Sequence, residues 1–171
     1  QFEFKLLSSG LLDKAVIDSV VVDYTVPAIA DSVVAEISPS LGRIGEINEF
    51  TYHLRSVVSN RHRGFDTIFI NTPFAATATR VTVDGTEVGD FEQEMVDGRL
   101  QVVFAGNRIS RSGREIEIDF QSLMTISGTE FRAEVGDSQS DAFPQRVVVG
   151  DANEEVVGNT LTVSAKIEDR L

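Results

Sequence analysis

The sequence predicts an all-β protein, an antiparallel two-sheet β-sandwich. Three observations lead there: repeated period-two alternation of apolar and polar residues, turn dipeptides between the alternating runs, and no long stretch with helical periodicity. Alternation over five to eight residues gives a strand one buried and one wet face.

The runs follow in order along the chain. Phe2, Phe4 and Leu6 alternate with Glu3 and Lys5, and Val16 to Val26 is rich in β-branched residues. Ala28–Glu36 has room for two helical turns, but its valines favour a strand. Phe50, Tyr52 and Leu54 share one face, opposite Thr51, His53 and Arg55. Phe65, Ile68, Phe69 and Ile70 are apolar on both faces, which predicts a central strand that Pro73 ends. Thr79–Asp84 is expected to return beside it, and Phe91–Val96 offers one further helical turn. Leu100, Val102 and Phe104 form the next inward face, followed by Ile116, Ile118 and Phe120. Beyond Phe120 the apolar residues shift to Leu123 and Met124, which predicts a bulge or a bend in that strand. Phe131, Ala133 and Val135, then Leu161, Val163, Ala165 and Ile167, complete the set. Between the runs lie Asp84-Gly85, Asp97-Gly98, Ser112-Gly113, Ser127-Gly128, Gly136-Asp137 and Gly150-Asp151. Glycine there accepts positive φ without steric cost.

The order "EFTYHLRS", "GFDTIFINTPF", "ATRVTVDGTEV", "GRLQVVFAG", "GREIEIDFQS", "GTEFRAEVGDS" resembles the cohesin-like and immunoglobulin-like β-sandwich modules of bacterial cell-surface and secreted proteins, from about Glu46 to Ile167. The resemblance implies a sandwich domain, and it carries no dockerin-type binding face onto particular residues. Separately, "FEFKLLSSG" and "AVIDSVVVDYTVP" resemble the closing strands of another extracellular sandwich type. The expected organisation is therefore N-terminal strands in residues 1–27 and a β-sandwich domain in residues 28–171. Residues 1–27 are either an extension of that domain or the end of a neighbouring module, with Val26-Pro27-Ala28 as the joint.

Composition narrows the function. The chain has 171 residues, 27 acidic against 15 basic, for a net charge of −12. That balance argues against nucleic acid, whose affinity rests on Lys and Arg, and against an anionic bilayer. No apolar run of ~18 residues exists to insert into a membrane. With no cysteine, disulfides and thiolate chemistry are excluded; with no tryptophan, sugar-stacking platforms are fewer. The opening on Gln1 leads us to expect a processed or excised piece.

Candidate chemistry is sparse. His53 lies on a strand's polar face and His62 in the basic stretch Asn60-Arg61-His62-Arg63, with no serine elbow, zinc motif or phosphate loop to accompany them. Asp151, Asn153 and Glu155, at the first, third and fifth positions of a loop, are candidate calcium ligands. Val156 and Thr162 then stand where an EF-hand needs glycine and glutamate, which favours an ordinary acidic turn over a calcium loop. Asp137, Ser138 and Asp141, and Asp84, Glu87 and Asp90, form two further acidic loops. The rows Glu115, Glu117, Asp119 and Glu130, Arg132, Glu134 are expected to pair across strands through Arg132. Arg61, Arg63, Arg108, Arg111 and Arg114 either balance local charge or meet an acidic neighbour or an anionic glycan.

The expected function is a non-enzymatic, extracellular or cell-surface structural or adhesion module with no resident cofactor, calcium being the one ion considered. Its expected partners are other modules or copies of itself, with glycan as a further class. The alternatives are a self-assembling filament subunit joined by strand exchange and a carbohydrate- or calcium-dependent binding module.

Overall fold

Alternation becomes pairing along the longest strand. In the computed structural model, which describes residues 16–21 and 27–166, Phe50, Tyr52 and Leu54 point into the core from an eleven-residue strand. The strands are β1 (Ser32–Ser38), β2 (Leu41–Gly42), β3 (Ile47–Val57), β4 (Thr67–Asn71), β5 (Ala76–Val83), β6 (Thr86–Glu87) and β7 (Glu92–Val96). They continue as β8 (Arg99–Val103), β9 (Glu115–Leu123), β10 (Thr129–Glu130), β11 (Ala133–Gly136), β12 (Gln145–Arg146), β13 (Val148–Val149) and β14 (Thr162–Ala165). A six-stranded sheet, β13-β1-β3-β9-β5-β6, faces a five-stranded one, β12-β11-β4-β8-β7, and a small third sheet runs β10-β14-β2. The fold is thus the expected β-sandwich. Its pairings are antiparallel except for β1 with β13 and β2 with β14, which are parallel.

Apolar residues from both sheets form one core. At one end of it Phe50, Phe120 and Phe131 meet with ring centroids 5.2–5.7 Å apart, in tilted and edge-on geometries that suit aromatic quadrupoles. The Tyr52 hydroxyl donates to the Phe131 carbonyl across the core, and burial pushes its phenol well above the ordinary range. One seam between the sheets is closed by the chain itself, which pairs with β11 at Gln145–Arg146 and then with β1 at Val148–Val149. The other is closed by a side chain: the Gln93 amide donates to the Ala78 carbonyl and accepts from the Ala78 N–H, acting as a strand surrogate along β5.

Both Asp-Gly hairpins turn with positive φ at two successive residues, 49° and 73° at Asp84-Gly85, and 51° and 75° at Asp97-Gly98. Gly64 is required for another reason. Its φ is 73°, and a Cβ there would collide with the Ile109 carbonyl oxygen, where Phe65 pairs with Ile109.

Several expectations are corrected. The helical turn offered at Phe91–Val96 is instead strand β7, whereas Ala28–Glu36 leads into strand β1 as its valines favoured. Residues 16–21 carry no strand and are exposed. The strand after Pro73, β5, does not lie beside β4; the chain crosses to the other sheet and pairs with β9. The irregularity near Phe120 belongs to that neighbour: the register shifts between Ala78 and Arg80, and β9 keeps its phase by turning Ser122 inward. The acidic row of β9 and the Glu130–Glu134 row sit in different sheets, so Arg132 pairs with Glu130 in its own row. The strands expected at Phe2–Leu7 and at Ile167 lie outside the described residues.

The two ends of the described body lie at opposite poles. Ala28 and Ile29 are held by backbone bonds from Arg63 and Gly64, and Asp31 bonds to Val57, at the far end of β3. The last strand leaves at the other end. Ile37 N–H bonds to Thr160, Ser164 N–H to Ser40 and Lys166 N–H to Gly42, so the first and last stretches of the body run side by side in the same direction.

Candidate functional site

The outer face of the six-stranded sheet carries a row of polar residues in register: Glu36 on β1 opposite His53 on β3, then Glu117 on β9, then Thr82 on β5. Side chains directly opposite on neighbouring strands stand within contact distance. A loop closes over them. Glu36 Oε1 accepts both the Ala152 and Asn153 backbone N–H groups at 2.8 Å, and Glu36 is fully buried. His53 Nε2 lies 2.9 Å from Ser38 Oγ, its Nδ1 lies 3.3 Å from Glu117 Oε1, and the Asn153 amide approaches both partners of that second contact at 3.4 Å. Thr82 donates to Glu117 Oε2.

Hydroxyl, imidazole and carboxylate in this order form the connectivity that activates a nucleophile. Here His53 is only 6% exposed and lies under Asn153. The chain of contacts ties three strands to the overlying loop. Sequence reasoning placed His53 on a wet face; it missed Glu36. The available signal was Glu36 within the otherwise apolar run from Val33 to Ile37. Replacing Glu36 with alanine leaves two loop N–H groups without an acceptor. We expect a loss of about 1–3 kcal/mol and faster limited proteolysis in the exposed stretch 154–159; unchanged cleavage would refute the latch.

Of the three calcium candidates, one side chain is engaged and two are exposed. Asn153 turns toward His53 and Glu117, and its Oδ1 accepts the Glu155 N–H, while Asp151 and Glu155 stay exposed. Among the described residues, no group of three or more His, Asp or Glu side chains is placed to hold a metal ion. Calcium stabilises only through RT ln(1 + [L]/Kd). The expected titration result is a slight rise in Tm at millimolar ion, and a large rise at micromolar ion would make this loop a true site.

A second constellation surrounds Arg108. Its guanidinium lies 3.1 Å from Asp66 and 2.8 Å from Asp137, and it also donates to the Arg63 carbonyl. Asp137, in the second acidic loop, is held well below the usual carboxylate range by Arg108, with help from the Gln139 N–H and the Ser140 hydroxyl. In the third acidic loop Asp84 is lowered by the Glu115 N–H and by Arg114, its ion-pair partner. Hydrogen bonds from Ser59 lower Asp31, and Arg61 and His62 add to them. Arg132 lowers Glu130. Arg61, Arg108 and Arg114 therefore balance local charge.

These four carboxylates ionise more readily folded than unfolded. The stability they contribute is full above the ordinary carboxylate pKa and drains away as pH falls below it. We expect Tm to be level from about pH 8 to about pH 5 and to fall below about pH 4. Arg108→Ala should reduce that fall, and an unchanged acid limb would refute the assignment to Asp137.

No family model matches the chain, and no curated protein sequence matches it. Solved structures similar to it include cohesin and immunoglobulin-like modules, the same two kinds its strand rhythm resembles. The major pilin SpaD of Corynebacterium diphtheriae is 12% identical with a TM-score of 0.47 over 68% of this chain. This chain spans 33% of that pilin's length. A Nocardia farcinica protein with an immunoglobulin-like fold is 14% identical, TM-score 0.46, with 77% of this chain and 94% of that one covered. A cohesin module from a Clostridium perfringens family 33 glycoside hydrolase is 14% identical, TM-score 0.41, covering 80% and 97%. These are likenesses of fold.

Proposed function

We propose that the chain is a non-enzymatic structural or adhesion module of a bacterial extracellular or cell-surface protein, built to stand in series with other protein modules. The observation that carries this reading is the placement of the body's two ends at opposite poles, with Ala28 and Ile29 anchored on Arg63 and Gly64 and Lys166 leaving at Gly42. β3 alone spans about 33 Å at ~3.3 Å per residue, so each copy extends a chain by at least that length. The internal pairing of the surface ions supports the same reading, because it commits charged groups to holding the body together. Antibody raised against the folded domain should label intact cells of the source organism. Labelling that needs permeabilised cells would overturn the extracellular assignment.

A further inference from the structure

Four large aliphatic side chains stand exposed at one pole. Leu41, Ile44, Ile47 and Ile126 are each between 51% and 70% exposed. The backbone brings them together: Ile47 pairs with Leu123, Gly45 bonds to Met124, Leu41 pairs with Ser164, and Ala165 bonds to Ser127 beside Ile126. A cluster of this kind on a soluble domain marks an interaction surface. A second apolar stretch precedes the opposite pole, where Val16, Ile17, Val20 and Val21 are between 42% and 82% exposed.

We propose that the apolar pole is the docking surface for Val20 and Val21 of a second copy of this chain, giving a head-to-tail contact. Reach decides between the copies at Val20 and Val21, the two apolar residues nearest the body. Ala28 is held near the Val57 end of β3, and the pole begins at Ile47, about 33 Å away at the rise of a strand. Six residues lie between Val21 and Ala28, and the seven steps across them reach only about 25 Å when fully extended. Val20 and Val21 therefore fall short of their own pole, whereas a copy stacked end to end brings its pole directly to them. Charge agrees: Lys166 is exposed beside the pole and Asp18 lies within the apolar stretch. The contact joins different surfaces of the two copies and so does not close on itself; it extends into a string. The inference rests on the serial-module reading and names the partner.

The test is sedimentation velocity on the full chain from about 1 µM to about 500 µM, a span suited to weak interfaces. One variant carries Ile47→Asp and Ile126→Asp; the other carries Val20→Asp and Val21→Asp. All four positions are exposed, so unchanged thermal melting confirms that each variant folds. The native chain should sediment faster with concentration, beyond the dimer. Each variant alone should remain monomeric. An equimolar mixture should form a dimer that does not extend, because it holds one intact pole and one intact segment. A native chain that stays monomeric, association that survives both pairs of substitutions, or a mixture that stays monomeric would each overturn the docking. Each of these failures leaves the module reading intact, since that stands on labelling of intact cells.

Discussion

Phe120→Ala should lower the free energy of unfolding by about 3–5 kcal/mol, the range for deleting a buried aromatic and leaving a cavity. Phe120 is fully buried and touches Phe50 on its own sheet and Phe131 from the opposite side of the core. Its loss removes two ring contacts, and strands β3 and β9, already paired with neighbours on both sides, have little freedom to collapse into the space. Urea denaturation gives the measurement, with Ile47→Ala as the control: that side chain is mostly exposed and should shift stability by less than about 0.5 kcal/mol. Equal effects from the two substitutions would show that the buried face is misassigned.

Asp66→Ala should cost a similar amount, about 3–5 kcal/mol, because it takes the acceptor from four donors at once, each such loss costing about 1–3 kcal/mol when the donor stays buried. Asp66 is fully buried and accepts four hydrogen bonds: from Thr67 Oγ1, Arg108 Nη1, and both the backbone N–H and the hydroxyl of Ser138. These donors come from the start of β4, the loop before β9 and the loop after β11, so one carboxylate holds three segments in place. Asp66→Asn keeps the shape but turns a donor toward some of these groups, and should fall between the native protein and alanine. A double-mutant cycle with Arg108→Ala isolates the pair; a coupling energy near zero would mean that Asp66 acts through Thr67 and Ser138 alone.

The core was legible where a strand has one wet face. Phe50, Tyr52 and Leu54, Ile116, Ile118 and Phe120, and Phe131, Ala133 and Val135 are buried as their alternation predicts. Alternation assigns a face and says nothing about a neighbour, which is why β5 was expected beside β4 and the two acidic rows beside each other. Ser122 hid the phase of β9 by putting a hydroxyl at an inward position. The polar row of Glu36, His53 and Glu117 was hidden for a different reason. Its cover comes from Ala152 and Asn153, more than a hundred residues beyond Glu36, and no local period records a lid that distant in sequence.

The side-by-side course of the first and last stretches has a mechanical consequence. A tension applied between Ala28 and Lys166 pulls residues 37–42 toward one pole and residues 160–166 toward the other. Because the two run the same way, the load acts along the ladder and strains its hydrogen bonds together. Antiparallel strands gripped at one end would unzip bond by bond under a far smaller force. Stretched between these two points, this domain resists in shear, and its rupture force is set by how many of those bonds must fail at once.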